Sequence, residues 1–297
     1  MLNTTEILKK VKQIEIKTGK LVSESFSGQY LSVFKGKGIE FADVREYSYG
    51  DDIRDIDWNI TARLRKAYVK KYDEERELTV MVACDVSAST YFGSQQTFKN
   101  ETAAELAALF LFSALKNNDK TGLYLFSDKT ELYIPPDKGK EHVLRIIREM
   151  LAFKPKSQKT DITQALKNLN NLLKRKAILI LISDFLATDF EKYIKITEKK
   201  HDLIPVIVYD KFEKELKSYP LILNFQDSET DFKSAIDLSD LETIKIYSAE
   251  NEERIEKIKK IFKTISVDFM EIEAGEDIYK PVINFFKNRK IKIRAKI

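Results

Sequence analysis

Asp85, Ser87 and Ser89 stand at alternate positions directly after the apolar run over 78–84. That run reads as a buried strand. A chain that leaves it in a tight loop turns all three side chains toward one point beyond the strand's carboxyl end, where open α/β sheets place their ligands. Three hard oxygen donors converging there suit Mg²⁺ or Mn²⁺. Asp and Ser are also ordinary loop and cap residues, so the reading needs donors from elsewhere. Two segments offer them. Thr160 lies in Lys159-Thr160-Asp161, just ahead of a helical pattern, and Asp184 follows the aliphatic run over 177–182. In a doubly wound sheet adjacent strands bring their carboxyl-end loops side by side. A Thr160 hydroxyl and an Asp184 carboxylate would then complete an oxygen-only shell. On local sequence Thr160 serves equally well as a helix N-cap, and Asp184 as a solvated loop carboxylate.

The elements that must position these groups follow a strand–helix rhythm. Strands are expected over 78–84, 121–126, 177–182, 203–209 and 267–272, and helices over 100–116, 140–153, 161–173, 189–200, 249–265 and 277–287. The helix over 100–116 is apolar through its middle and should be buried against the sheet. Ser127-Asp128-Lys129 turns a hairpin whose second strand, over 131–134, should stop at Pro135-Pro136. Short strands over 221–225 and 233–237 are expected to pair. This order predicts a mostly parallel, doubly wound sheet of Rossmann-like type, with one antiparallel edge strand and helices on both faces.

Before it, a helix is expected over 5–17 and a loop over 23–38. A charged segment with many aromatics, over 39–77, reads as a small ordered N-terminal appendage, since linkers seldom carry so many aromatics. Within it a short helix is expected to open at Asp55–Asn59 and a strand over 68–72. The division expected is 1–76 for the appendage and 77–297 for the main domain.

Composition removes several function classes. A single cysteine, Cys84, excludes an internal disulfide and a cysteine zinc site, and two histidines leave little room for a histidine relay. The 51 basic residues barely exceed the 47 acidic ones, so no nucleic-acid partner is expected from charge. No run of eighteen apolar residues and no signal-peptide core occurs, so a cytoplasmic protein is expected. The basic tail over 287–296 reads as an edge strand whose charges discourage aggregation, with contact to anionic lipid or nucleic acid as the alternative.

Asp85-x-Ser87-x-Ser89 with Thr160 and Asp184 resembles the metal-ion-dependent adhesion site of the von Willebrand factor A fold. The resemblance implies that Ser87, Ser89 and Thr160 bind a divalent cation directly, while Asp85 and Asp184 act mainly through waters. Neutral hydroxyls leave much of the cation's charge uncompensated, so a vacant position would attract an acidic side chain of a partner. One departure stands beside the threonine. Gln158 and Lys159 occupy positions where such sites often have glycine, and an ammonium near a dication is repulsive unless it points away.

The N-terminal part resembles a narrower group. Ser27-Gly28, residues 34–41, Val44-Arg45-Glu46-Tyr47, residues 50–59, Thr61-Ala62-Arg63 and Glu74-Glu75-Arg76-Glu77 are similar to the signature of the bacterial domain-of-unknown-function family fifty-eight. The resemblance implies partnership with MoxR-type AAA+ ATPases and with other von Willebrand A proteins in protein assembly or maturation. The charged residues of the signature read first as an ion-pair lattice. The second reading is a docking surface for the ATPase formed by Arg45, Asp51, Asp52, Arg54, Asp57 and Trp58. Trp58 by itself reads first as core.

Enzyme readings fit less well. A divalent-metal-dependent phosphatase of haloacid-dehalogenase type needs an acid two residues after its first aspartate, and Ser87 stands there. A nuclease needs several clustered carboxylates, and a serine hydrolase needs a G-x-S-x-G elbow. The expected function is a non-catalytic, metal-dependent adaptor, with a metal-dependent phosphatase or nuclease as the alternative.

Overall fold

The structure, a computed structural model, describes residues 4–22, 30, 33–34, 44–53, 56–64, 66–70, 77–91, 98–214, 216, 218–226 and 233–295. The chain runs through α1 (Thr4–Leu21), β1 (Val44–Glu46), α2 (Trp58–Leu64), β2 (Tyr68–Lys70), β3 (Thr79–Asp85), α3 (Lys99–Lys116), β4 (Lys120–Phe126), β5 (Thr130–Asp137), α4 (Lys140–Ala152) and α5 (Ile162–Leu172). It continues through β6 (Ile178–Ser183), α6 (Glu191–Lys200), β7 (Asp202–Tyr209), α7 (Lys211–Lys214), β8 (Ile222–Gln226), β9 (Lys233–Asp237), α8 (Leu241–Ile265), β10 (Met270–Glu273) and α9 (Tyr279–Ala295).

The central sheet has six strands in the order β10-β7-β6-β3-β4-β5. All neighbours are parallel except β4 and β5, so the expected antiparallel edge strand is β5. Both faces are covered, and the period-two rule sorts the side chains. Val80, Val82, Cys84, Leu123 and Leu125 join α1, α3, α4 and α9 in one apolar cluster. Met81, Ala83, Tyr124, Phe126, Leu179 and Leu181 join α5, α6 and α8 in the other. Burial on both faces explains why β3 and β6 read as unbroken apolar runs.

From β3 the chain builds outward through β4 to β5, then returns to the other side of β3 to lay down β6. The reversal of strand order therefore falls between β3 and β6, the topological switch point of such sheets. Asp85 ends β3 and Asp184 follows β6, so the switch point carries both carboxylates.

Several local expectations are corrected. The strand over 131–134 continues through Pro135 and Pro136 to Asp137, which an edge strand tolerates because the register shifts opposite Thr121–Leu123 in a bulge that spares the ladder there. The basic tail is helical to Ala295 rather than an edge strand. Its alternation of Lys and Ile gave a period of two, but Val282 and Phe286 are fully buried one turn apart, and no helix breaker follows Pro281 in the first turn. Trp58 is 65% exposed rather than core. The paired short strands β8 and β9 are present and antiparallel, and Asp57 caps α2 by accepting from the Asn59 and Ile60 N–H groups at 3.0 and 3.2 Å. Most of the loop expected over 23–38 lies outside the described residues. Tyr30 within it is buried, and its hydroxyl donates to Asp119 Oδ2 at 3.1 Å.

Candidate metal centre

The loop that leaves β3 is held by its own polar groups. Asp85 Oδ1 accepts the Ser87 N–H at 2.9 Å, which turns the chain sharply after the strand. The Thr90 hydroxyl donates to the Ser87 carbonyl at 2.7 Å inside a short 3₁₀ turn over Ala88–Tyr91. Ser87 Oγ and Ser89 Oγ lie 3.1 Å apart. That spacing resembles the edge of an octahedron of oxygens around Mg²⁺, about 2.9 Å for metal–oxygen bonds near 2.1 Å. Asp85, Ser87 and Ser89 are all buried.

The other two predicted donors come from neighbouring loops. The Ala88 N–H donates to the Gln158 carbonyl at 3.1 Å, which draws the segment ahead of α5 against the serine loop. The N-cap of α5 is Asp161, whose Oδ1 accepts the Gln164 N–H at 2.8 Å. Thr160 is thereby released from the capping role, and its Oγ1 is buried with no hydrogen-bond partner among the described residues. Lys159 is exposed. Asp184 is 4% exposed, and the Ser183 hydroxyl beside it donates to Asp85 Oδ2 at 2.8 Å. The structure thus brings the Asp85, Ser87, Ser89 and Asp184 loops to one end of the sheet, with the Thr160 segment against them.

Sequence reasoning missed two groups. Lys99, the first residue of α3, is 2% exposed, and its Nζ lies 3.0 Å from Asp184 Oδ2 and 2.6 Å from Glu213 Oε1. Glu213 sits in α7, just beyond β7, and its other oxygen accepts the Asp210 N–H at 2.9 Å. A cavity of about 10 Å³, room for a single water, is lined by Asp85, Thr90, Lys99 and Asp184 among others. A lysine at a helix N-terminus opposes the helix dipole, but Lys140 and Lys211 open helices too, so position alone does not single out Lys99.

The charges explain the electrostatics. Burial, and then the neighbouring charge of Asp184, push the Asp85 carboxyl up to about 7, against the hydrogen bonds from Ser87 and Ser183 that favour its ionised form. Burial alone would lower the Lys99 ammonium, but Asp184 and Glu213 outweigh it and raise the pKa. Asp184 and Glu213 therefore share one buried ammonium, and Asp85 lies beside Asp184 with its carboxyl raised.

Hydroxyl and carboxylate oxygens, with no sulfur or imidazole, make a donor set for a hard dication. The orphaned Thr160 oxygen fits that use, and the Lys99 ammonium opposes it. Among the described residues no group of three or more His, Cys, Asp and Glu is placed to hold a metal, so a metal here depends on the hydroxyls.

Of the signature residues, Arg45 lies in β1 opposite Val69, and Arg54 lies outside the described residues. Asp51 Oδ2 accepts the Ser48 N–H at 2.9 Å, closing the turn before Ile53, and Asp52 is exposed. Tyr49, Ile53 and Trp58 are exposed.

Strand order, the switch point and the loop after β3 define a von Willebrand factor A-like domain. The chain belongs to the family described as "Protein of unknown function DUF58", whose model matches residues 43–257. The uncharacterised protein Rv1480 of Mycobacterium tuberculosis is 26% identical over 206 residues, covering 68% of this chain and 65% of that protein. The chain thus spans just under two thirds of that relative's length. Two solved structures are similar at lower identity. The von Willebrand A domain of SpRpn10 has a TM-score of 0.41 at 9% identity, covering 70% of this chain and 94% of that one. An aerotolerance-related membrane protein from Bacteroides fragilis has a TM-score of 0.44 at 13% identity, covering 72% and 99%. The cytoplasmic expectation is corrected here. Two similar structures are described as an aerotolerance-related membrane protein and a membrane spanning protein. Among the described residues no helix is long and apolar enough to cross a membrane.

Proposed function

We propose that the chain is a non-catalytic adaptor that captures an acidic side chain of a partner protein through Mg²⁺ or Mn²⁺. Ser87, Ser89 and Thr160 would hold the cation, with the Asp85 and Asp184 carboxylates behind them. The cation would supply a positive centre that three neutral hydroxyls leave largely uncompensated. The observation that carries this reading is the Thr160 hydroxyl, a buried oxygen with no hydrogen-bond partner among the described residues. It lies on a segment bonded to the serine loop through Ala88 and Gln158. Burying such a group unpaired costs about 1–3 kcal/mol, which a cation would offset. A MoxR-type AAA+ ATPase is the proposed partner class, on family grounds, with the exposed Tyr49, Ile53 and Trp58 as its contact.

The test is calorimetric titration of Mn²⁺ into chelator-stripped protein and into Ser87→Ala and Thr160→Val. The expected result is one site in the wild type and at least roughly tenfold weaker binding in both variants, with unchanged circular dichroism. Equal affinity in all three proteins would overturn the metal assignment. Pull-down of the ATPase with and without chelator tests the partnership.

A further inference from the structure

Lys99 is difficult to explain as a stabilising residue. It opens α3, where the helix dipole is positive and a cation is disfavoured. The N-cap, Phe98, offers no side-chain acceptor that would soften this end. Its ammonium is removed from water, and a buried ion pair is often no better for stability than an apolar side chain of similar volume. A methionine would fill the space without the desolvation cost, but on its own it would leave Asp184 and Glu213 without their ammonium.

What Lys99 does have is two carboxylates at once. Asp184 stands at the carboxyl end of β6, beside Asp85, and Glu213 stands past the end of β7. The second lies further from the serine loop in the strand order, and it is tied to the backbone of its own corner through the Asp210 N–H. A cation arriving among Asp85, Ser87, Ser89, Thr160 and Asp184 would meet an ammonium already neutralising one of its carboxylates. Inside the protein that repulsion is little screened by salt.

We propose that Lys99 is a built-in competitor for the cation site, shared by Asp184 and Glu213 when the site lacks a dication and held by Glu213 alone when the site is filled. This inference rests on the metal reading given above. It makes cation affinity a balance between dication and ammonium, and it links site occupancy to the Asp210–Lys214 corner through Glu213. Lys99 is a positioning residue in this scheme and touches neither partner nor cation.

The experiment compares Mn²⁺ affinity in the full chain for wild type, Lys99→Met, Glu213→Gln and Ser87→Ala, with urea unfolding of each in the presence and absence of Mn²⁺. Lys99→Met should bind Mn²⁺ roughly tenfold or more tightly than wild type. Its unfolding midpoint should rise more on Mn²⁺ addition, because Asp184 then regains a counter-charge. Glu213→Gln, which leaves the ammonium only Asp184, should bind more weakly. If Ser87→Ala removes binding while Lys99→Met binds no tighter than wild type, the competitor role is overturned and the cation site stands. If Ser87→Ala binds as wild type does, the cation site itself falls, and the competitor role with it. Should Lys99→Met fail to fold even with Mn²⁺, Glu213→Gln decides: unchanged or tighter binding overturns the proposal.

Discussion

Phe185 offers the sharpest test of how the second carboxylate loop is built. It follows Asp184 directly, has a φ of 53° and is 2% exposed. Its N–H donates to Ser183 Oγ at 3.0 Å, the same hydroxyl that donates to Asp85. Its ring packs against Phe190 and Phe262 at centroid distances of 5.5 and 5.2 Å. The ring therefore anchors a left-handed turn that presents Asp184. Phe185→Ala should cost about 3–5 kcal/mol through lost burial and the cavity left behind, including about 0.5–1.5 kcal/mol for each ring pair. Alanine keeps the left-handed penalty of about 1–2 kcal/mol that any Cβ brings. Glycine escapes it but gives up about 0.4–1 kcal/mol through its freer unfolded chain. Phe185→Gly should thus be more stable than Phe185→Ala by about 0.5–1 kcal/mol, the reverse of the order in an ordinary helix or strand. Urea unfolding midpoints at a shared slope measure both differences. A glycine variant less stable than the alanine variant would refute the turn geometry. An alanine variant within about 1 kcal/mol of wild type would refute the anchor.

His201 is buried, and its Nδ1 accepts the Ala177 N–H at 3.3 Å. Burial, with help from Lys200 and Lys176, pushes its pKa down from 6.5 to about 4. Between those values the unfolded chain takes up a proton that the folded protein refuses, so stability should fall as the pH drops through that window and fall no further from this source below it. His201→Asn, which keeps an acceptor for Ala177, should unfold with a flatter midpoint-against-pH curve there; an identical slope would remove His201 as the cause. Trp58→Ala should shift the unfolding midpoint by no more than about 0.5 kcal/mol, given the exposed ring. A loss near the 3–5 kcal/mol of a core aromatic would mean the ring is buried after all.

The sheet was legible because β3 and β6 are buried on both faces, and only a parallel centre gives such unbroken apolar runs. The aspartates and serines of the candidate site were legible because they abut those runs. What was illegible depends on which partner an element meets. In α9 the lysines alternate with isoleucines, and only packing of Val282 and Phe286 against the sheet shows that the repeat is helical. Trp58 looked like core because its burial is decided by the fold of a small charged segment, not by its own hydrophobicity.

Lys99 shows the same limit at the site itself. Lysines are abundant in this chain, and one just before an apolar helix looks like a solvated flank. Its meaning comes from Glu213, 114 residues later, which topology brings to within 2.6 Å of the ammonium. The sequence reading placed the unfavourable ammonium at Lys159, next to Thr160, but that side chain is exposed. The ammonium that matters arrives from the other side, through α3 and Asp184. A site judged by its donors alone would bind any hard dication. Judged with its internal cation, the proposed site would bind one only when the dication's gain at five oxygens exceeded the loss of a buried ion pair, and that comparison is what the Lys99 and Glu213 variants measure.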